Sequence, residues 1–466
     1  MKKTMCILKG LAVAIILVAF CGCGAKSASE VGTLIDALDN SAWEASKWIS
    51  VVDAPIISDY NIERAADGAN WFVSIVKNEQ RVTSAKWMTT GLGVFQLWLN
   101  GQPVRKEVLK PGFTNPFKTK ISFTYDITDA FCCNAGAENV LSAQVTPGWW
   151  GDRIVTPGGN KGMYGTKCAF RGVLELTFAD GSKKLYGTDL ENWKAGIAGP
   201  VKHAAIFDGE EYDAREKMGY EVADKLSTPE QNKEFHGEIL PSEGAEIYLR
   251  HDLELKPVQA YVWKDVEGAK DGEAGKVVID REYKAGEQIV LAAGENLVID
   301  FGQNCAGVPS FVFKAAEGTT LTCLPGELLN DGNGARSRGM DGPEGSVHRE
   351  NLRMAESGMI LTYTFGAGEK YVSYHPRTTF FGYRFVSITA TDEVTIKAVE
   401  SIPVTSIASN LESGKITTGD ESVNKLISNT YWGQLSNYLS VPTDCPQRNE
   451  RLGWTADTQV FTETGT

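Results

Sequence analysis

From about residue 60 to residue 400, apolar and polar positions alternate in short runs rich in β-branched and aromatic residues, broken by Gly, Asn and Asp. Alternation with period two marks a strand with one buried face. Trp71-Phe72-Val73-Ser74-Ile75-Val76 is one such run, and Gly93-Val94-Phe95-Gln96-Leu97-Trp98-Leu99 is another, closing on Asn100-Gly101. An Asn-Gly pair after such a run predicts a tight hairpin, because both residues tolerate a left-handed backbone. Phe311 to Phe313, Leu361 to Phe365 and Tyr383 to Ile388 continue the pattern. Regular short strands with turn punctuation predict β-sandwiches, and roughly 340 residues are too many for one.

The β signal is weakest near Asp213 to Ser242, a charged stretch with Glu221, Asp224, Lys225, Pro229, Glu230 and Lys233. A boundary placed there gives an N-terminal sandwich over 24–240, a candidate carbohydrate-binding module, and a second sandwich over 241–400. After residue 415 the period changes. Val423, Leu426, Ile427, Tyr431, Leu435, Tyr438 and Leu439 fall at helical steps, with Trp432 beside the stripe. Thr418 to Glu421 fits a capping box, and Pro442 is expected to stop the helix. A helix this apolar needs cover. Residues 401–466 therefore read as a linker and the first helices of a third, incomplete helical domain. An exposed apolar face is expected around Leu426, Leu435 and Leu439.

The ends and the charge narrow the class. Lys2, Lys3 and Lys9 precede an apolar stretch from Leu11 to Phe20, then Cys21-Gly22-Cys23 and polar Ala25-Lys26-Ser27. The apolar core is short of the ~20 residues a span needs. The segment 1–23 resembles a bacterial lipoprotein signal, with lipid carried by Cys23; a plain signal peptide is the alternative. The body is thus expected to be exported and held at the membrane by its anchor alone, in the periplasm or at the cell surface. The net charge of -13 argues against nucleic acid. Nine cysteines show no CxxC pair, and five histidines show no HxxxH or HExxH spacing, so no metal site is expected.

The densest chemistry lies in Asp444-Cys445-Pro446-Gln447-Arg448-Asn449-Glu450-Arg451-Leu452-Gly453-Trp454-Thr455-Ala456-Asp457. Carboxylates at several sites beside an aromatic platform are what sugar hydrolysis requires. Asp444 can point into a cleft. Glu450, as a general acid, needs a raised pKa, whereas flanking arginines would lower it. The arginines are therefore expected to point away or to neutralise Asp444 and Asp457, with Glu450 buried against Trp454. The bland alternative is a salt-bridged loop at the edge of a helical domain.

The wording of Val441 to Phe461, VPTDCPQRNERLGWTADTQVF, resembles the signature of bacterial α-L-rhamnosidases, glycoside hydrolase family 78. DFGQNCAG (Asp300 to Gly307), HPRTTFFGYRFVSI (His375 to Ile388), VFQLWLNG (Val94 to Gly101), VLKPGFT (Val108 to Thr114) and DGEEYDAR (Asp208 to Arg215) are similar to the same family. The resemblance implies a mostly β chain, two or more β-sandwich (jelly-roll-like) domains followed by the start of an (α/α)6 barrel. It implies inverting hydrolysis of terminal non-reducing α-L-rhamnose residues in a rhamnose-containing glycan or glycoside. By the motif, Glu450 is the general acid, Asp444 and Asp457 hold sugar hydroxyls with Arg448 nearby, and Trp454 lines the sugar subsite. Asn449 and Ala456 stand where the family usually has Asp and Gly. No residue matches the family's general base, so the chain by itself is expected to be inactive. A non-catalytic carbohydrate-binding surface lipoprotein is the second reading, and a related hydrolase of other sugar specificity the third.

Other signals weigh less. Trp149-Trp150 reads as core or domain interface more than as a sugar platform. Asp300 to Asn304 reads as a turn brace. The glycine-rich stretch Gly158 to Gly162 lacks the Lys-Ser/Thr of a phosphate loop. Asn330 to Glu350, with Asp331, Asn333, Asp341 and Glu344, has oxygens enough for Ca²⁺ but reads as a solvated loop. No cofactor is expected.

Overall fold

The computed structural model describes residues 30–57, 68–152, 154, 161–242, 246–270, 273–333, 341–352, 358–368 and 370–465. The leader with Cys23 and most of Gly158 to Gly162 lie outside the described residues. Among the described residues no helix is long and apolar enough to cross a membrane.

The chain is mostly β. Its N-terminal body is two sheets facing each other. The eight-stranded sheet runs Thr33–Ile35, Thr119–Asp126, Val82–Leu92, Ala169–Phe178, Ile49–Ser50, Glu230–Gln231, with Lys183–Gly187 and Glu238–Pro241 attached. The five-stranded sheet runs Trp193–Ile197, Asn70–Lys77, Glu138–Thr146, Val94–Leu99, Gln102–Pro103. Trp87, Phe123, Phe170 and Leu174 from the first sheet meet Phe72, Phe95, Leu97 and Leu141 from the second in one core. The predicted hairpin is present: Asn100 and Gly101 take φ of 51° and 78°, and Leu99 pairs with Gln102.

The second body is one twelve-stranded sheet. Its path runs Val201–Ala205, Gly209–Asp213, Ile360–Thr364, Thr320–Gly326, Phe381–Ala390, Asn296–Ala315, Gln259–Glu267, Lys276–Tyr283. The long strand Asn296–Ala315 explains how one sheet covers its own core. Its register shifts between Asp300 and Cys305, and beyond that point it pairs with Val394–Thr405 and Val372–Tyr374. A bulge turns the strand so that both halves face Phe311, Phe313, Tyr363 and Ile388. Asp300 braces this bend as expected. Its Oδ1 accepts from the Gly302 amide at 2.6 Å, and the carboxylate takes two bonds from Arg384 at 2.8 and 2.7 Å.

The two bodies interleave along the chain. Val201–Ala205 and Gly209–Asp213 join the second sheet, whereas Glu230–Gln231 and Glu238–Pro241 return to the first. The contact between them is an apolar cluster of Val94, Val108, Leu109 and Trp149 against Ala306, Val308, Phe380, Ile402 and Val404, and Leu439 from the C-terminal segment closes it.

That segment opens with the predicted helix, Glu421–Asn437, but its details differ. The cap is Asp420, whose Oδ1 accepts from Ser422 N at 2.8 Å and Val423 N at 3.3 Å; Thr418 instead binds Asn424. The helix ends at Asn437, before Pro442. Tyr438–Leu439 and Val441–Pro442 form a tight hairpin around Ser440, which takes φ 63°. The apolar face is also largely covered. Leu435 and Leu439 are buried against the second body, leaving Leu426 exposed with Val423. The Ala306 amide reaches Ser436 Oγ at 3.0 Å across this contact. A second helix, Thr455–Gly465, follows, and Gln434 donates to its Gly465 carbonyl at 2.8 Å.

Candidate active site

The loop between the hairpin and the last helix carries the dense motif. It is held from behind by Arg451, which is fully buried and left-handed at φ 44°. Its guanidinium donates to the carbonyl of Ile206 and, at 2.8 Å, to that of Phe380, while Nε donates to Arg448 O at 3.1 Å. The group lies 4.2 Å from the Phe380 ring centroid. Burial pushes it down to about 9, against the pull of Asp152 and Asp208. The Arg451 carbonyl accepts from Trp149 Nε1 at 3.2 Å. Trp149 is thus an interface residue, and with Trp150 it is buried, so neither is a sugar platform.

Gly382 supplies the second constraint. A Cβ there would meet the Gln447 amide nitrogen at 2.6 Å and its Cα at 2.9 Å, so the loop backbone lies directly on strand Phe381–Ala390. The hairpin is fixed in the same way: Phe113 N donates to Ser440 Oγ at 2.8 Å, beside Gly112.

With the loop so placed, Asp444, Cys445 and Glu450 come together, one ligand atom from each lying within 4.8 Å of the others. Glu450 is 8% exposed. Burial, with the charge of Glu450 added to it, holds the Asp444 carboxyl above its usual range. Cys445 Sγ donates to Asp444 Oδ2 at 3.2 Å, and the thiol is pushed up to about 12, chiefly by burial. The protonated thiol serves here as a hydrogen-bond donor to Asp444.

Asp444 and Asp457 line one cleft of about 380 Å³, whose other walls include Gln434, Tyr438, Pro442 and Phe461. Arg448 Nε is buried without a partner among the described residues. The expected arrangement of charges is met in part. Arg451 does point away, into the interface. Arg448 is felt by Glu327, a carboxylate of the second body that also accepts from Asn304 at 2.8 Å. Trp454 is 39% exposed, while Glu450 is 8% exposed. Asn449 is 1% exposed, where a neutral amide is cheaper to bury than the carboxylate it replaces. Sequence reasoning gave no role to Glu327 or Gly382, and it expected Arg451 to point away without naming its partners. For Arg451 the one available signal was its place beside Glu450.

The candidate Ca²⁺ stretch is organised by internal bonds. Asp341 accepts from the amides of Arg349 at 2.6 Å and Glu350 at 2.8 Å, and from Asn330 at 2.9 Å.

Residues 80–236 match the alpha-L-rhamnosidase N-terminal domain family, residues 291–406 the bacterial alpha-L-rhamnosidase concanavalin-like domain, and residues 412–466 the bacterial alpha-L-rhamnosidase 6 hairpin glycosidase domain. An alpha-L-rhamnosidase of Streptomyces avermitilis is 33% identical over 437 residues, covering 91% of this chain and 36% of that protein. One from Formosa agariphila is 29% identical over 432 residues, covering 91% and 41%. The chain therefore spans about two fifths of the length of the curated relatives it matches. The crystal structure of the S. avermitilis alpha-L-rhamnosidase complexed with L-rhamnose superposes with a TM-score of 0.66 at 28% identity, over 85% of this chain and 34% of that one. That of native Aspergillus terreus alpha-L-rhamnosidase gives 0.70 at 25% identity, over 92% and 44%. Three domains of one family, met in order along the sequence and on the matching fold, make this chain a member of the bacterial alpha-L-rhamnosidases, glycoside hydrolase family 78.

Proposed function

We propose that the protein hydrolyses terminal non-reducing α-L-rhamnosyl residues with inversion, and that Glu450 protonates the leaving oxygen. The observation that carries this is the couple of Glu450 and Asp444, with Asp444 on the cleft wall and Arg448 Nε buried without a partner among the described residues. Unsatisfied buried polar atoms are rare and call for a ligand. Burial and the charge of Glu450 favour the protonated form of Asp444. When sugar hydroxyls donate to Asp444, its ionised form is favoured and the proton resides on Glu450, where a general acid needs it. Asp457 holds a further hydroxyl across the cleft, Arg448 donates to the sugar, and Trp454 closes over its apolar face.

Asp444 is not the partner base. An inverting pair stands ~6.5–9.5 Å apart to admit a water, and a retaining pair ~5–5.5 Å. The closest oxygens of Glu450 and Asp444 lie within 4.8 Å, which leaves no room for that water. No residue of this chain is assigned as the base, and the 466 residues alone are expected to be inactive. The helices Glu421–Asn437 and Thr455–Gly465 are taken as the opening of an (α/α)6 barrel, in keeping with the 6 hairpin domain matched there and with the uncovered Leu426 and Val460. The leader is taken as a lipoprotein signal with Cys23 lipidated, on the strength of its lysines and short apolar core. Palmitate labelling that persists in Cys23→Ser would remove that assignment.

The activity is tested by following p-nitrophenyl α-L-rhamnoside with the full gene product by proton NMR. β-L-Rhamnose is expected first. A first product of α configuration overturns inversion, and no rhamnose release from any α-L-rhamnoside overturns the reading.

A further inference from the structure

A second cavity, of about 380 Å³, lies between the two β bodies, away from the acid loop. Its size falls within the ~300–1,000 Å³ usual for small-ligand pockets. One wall is the outer face of the five-stranded sheet. Alternation sends Phe95, Leu97 and Leu99 into the sandwich core and Gln96 and Trp98 outward. Gln96 is the cross-strand partner of Gln144, so two amide side chains stand together on this wall. Gln144 is 3% exposed and has no side-chain hydrogen bond among the described residues, and Gln96 Nε2 is buried without a partner.

The opposite wall is the segment from Tyr374 to Thr378. Its backbone is braced by Glu210, which accepts from Tyr374 Oη at 2.6 Å, from the amides of Arg377 at 3.3 Å and Thr378 at 3.2 Å, and from the Thr378 hydroxyl. Glu210 is thereby fully engaged. The Arg377 guanidinium lines the cavity, and its main electrostatic partner is Glu210, whose carboxylate lines the same space. His375 faces the same space. Its Nδ1 lies 3.1 Å from Pro376 O, which makes that nitrogen the donor and leaves Nε2 to accept. Burial pushes the ring down to about 4, so it is neutral near pH 7.

A cavity walled by the Gln96 and Gln144 amides, a neutral imidazole and the Arg377 guanidinium, with the Trp98 and Tyr212 rings beside them, is built for one kind of ligand. Amides and imidazole donate to and accept from hydroxyls. A guanidinium takes a carboxylate in two parallel bonds. Aromatic rings cover the C–H face of a pyranose. We propose that this pocket is a second saccharide site, specific for a sugar ring bearing a carboxylate and separate from the rhamnoside cleft.

The test is calorimetric titration of the full chain with D-glucuronate and D-galacturonate, with D-glucose, D-galactose and acetate as controls. At least one uronate is expected to bind, at least about tenfold more tightly than its neutral sugar and than acetate. Arg377→Met is expected to reduce uronate affinity to that of the neutral sugar, Arg377→Lys to retain part of it, and Gln144→Leu to weaken both ligands. Asp444→Asn and Glu450→Gln should leave binding unchanged, which separates this site from the rhamnoside reading. Melting curves establish which variants are folded; if Arg377→Met is not, Gln144→Leu and Gln96→Leu carry the test. Absence of uronate binding to folded wild type, equal binding of acetate, or indifference to the Arg377 and Gln144 changes overturns the proposal.

Discussion

The carbonyl of Arg451 accepts a hydrogen bond from the indole of Trp149 at 3.2 Å, across 302 residues of chain. One residue away stands Glu450, and the Arg451 side chain holds carbonyls of two further segments, at Ile206 and Phe380. The loop that carries Glu450 is therefore positioned less by the two helices flanking it than by the β bodies beneath it. This gives the upstream motifs a physical role. VLKPGFT supplies Phe113 to Ser440, DFGQNCAG supplies Ala306 to Ser436, and HPRTTFFGYRF supplies Phe380 to Arg451 and Gly382 to Gln447. The segments that resemble the family outside the catalytic motif are in large part those that touch it.

Arg451 should be costly to remove. Arg451→Ala removes the guanidinium bonds to the Ile206, Phe380 and Arg448 carbonyls, of which Ile206 keeps the Thr379 hydroxyl at 3.1 Å, and opens a cavity besides; a buried carbonyl left without a donor costs ~1–3 kcal/mol. A loss of about 3–5 kcal/mol in denaturant unfolding is expected. Arg451→Gly relieves the left-handed backbone and should lose about 1 kcal/mol less. A loss below about 1 kcal/mol in both would mean the interface does not anchor the loop.

Gly382→Ala tests the same support from the opposite side. The new methyl meets backbone atoms of Gln447 rather than the flexible end of a side chain, so either the strand or the loop must move. Overpacking of this kind costs ~1–3 kcal/mol. The larger effect should fall on catalysis, because the moving segment carries Arg448 and Glu450. Rhamnoside hydrolysis by the full gene product is expected to drop at least about tenfold in kcat while the melting temperature shifts by only a few degrees. Unchanged kcat in a folded variant would detach Gly382 from the site.

Much of this arrangement could be read from the sequence where the cause was local. Asn100-Gly101 turns its hairpin through local backbone tolerance, with Asn100 Oδ1 also accepting from the Val140 amide at 2.8 Å, and Asp300 braces its turn through a bond two residues away. The acid motif is compact, so its members were bound to be neighbours. The helix end was misjudged because Tyr438 and Leu439 keep the apolar spacing of the helix, yet the chain turns extended there to seat Leu439 between the two β bodies. The cover over Leu435 and the partners of Arg451 were invisible for the same reason. They come from Ala306, Ile206 and Phe380, 130, 245 and 71 residues distant.

The Asp444 carboxyl makes stability depend on pH. Its folded pKa lies above the unfolded value of 3.8, through burial first and the nearby Glu450 second. The native state thus binds this proton more tightly than the unfolded chain. The stability it contributes is fully present below the unfolded value and is lost as pH rises through the folded one. Asp444→Asn keeps the neutral form at every pH. Its melting temperature should match wild type near pH 4 and exceed it increasingly toward pH 7. A difference that is flat with pH, or that shrinks as pH rises, would contradict the placement of Asp444 beside Glu450.

Glu450 can be tested by the leaving group. An acid that protonates the departing oxygen matters most when that oxygen is a poor leaving group, and least when the departing anion is already stable. Glu450→Gln keeps the size of the side chain and a polar atom at its 8% exposed position, so the loop should stay in place. On an alkyl or sugar rhamnoside the variant of the full gene product should lose ~10²–10⁴-fold in kcat. On 2,4-dinitrophenyl α-L-rhamnoside the loss should be about tenfold or less, and the alkaline limb of the wild-type pH profile should vanish. Equal losses on both substrates would point to a binding role. An alkaline limb that survives the substitution would place the acid on another residue, and Asp444 would be the first to examine.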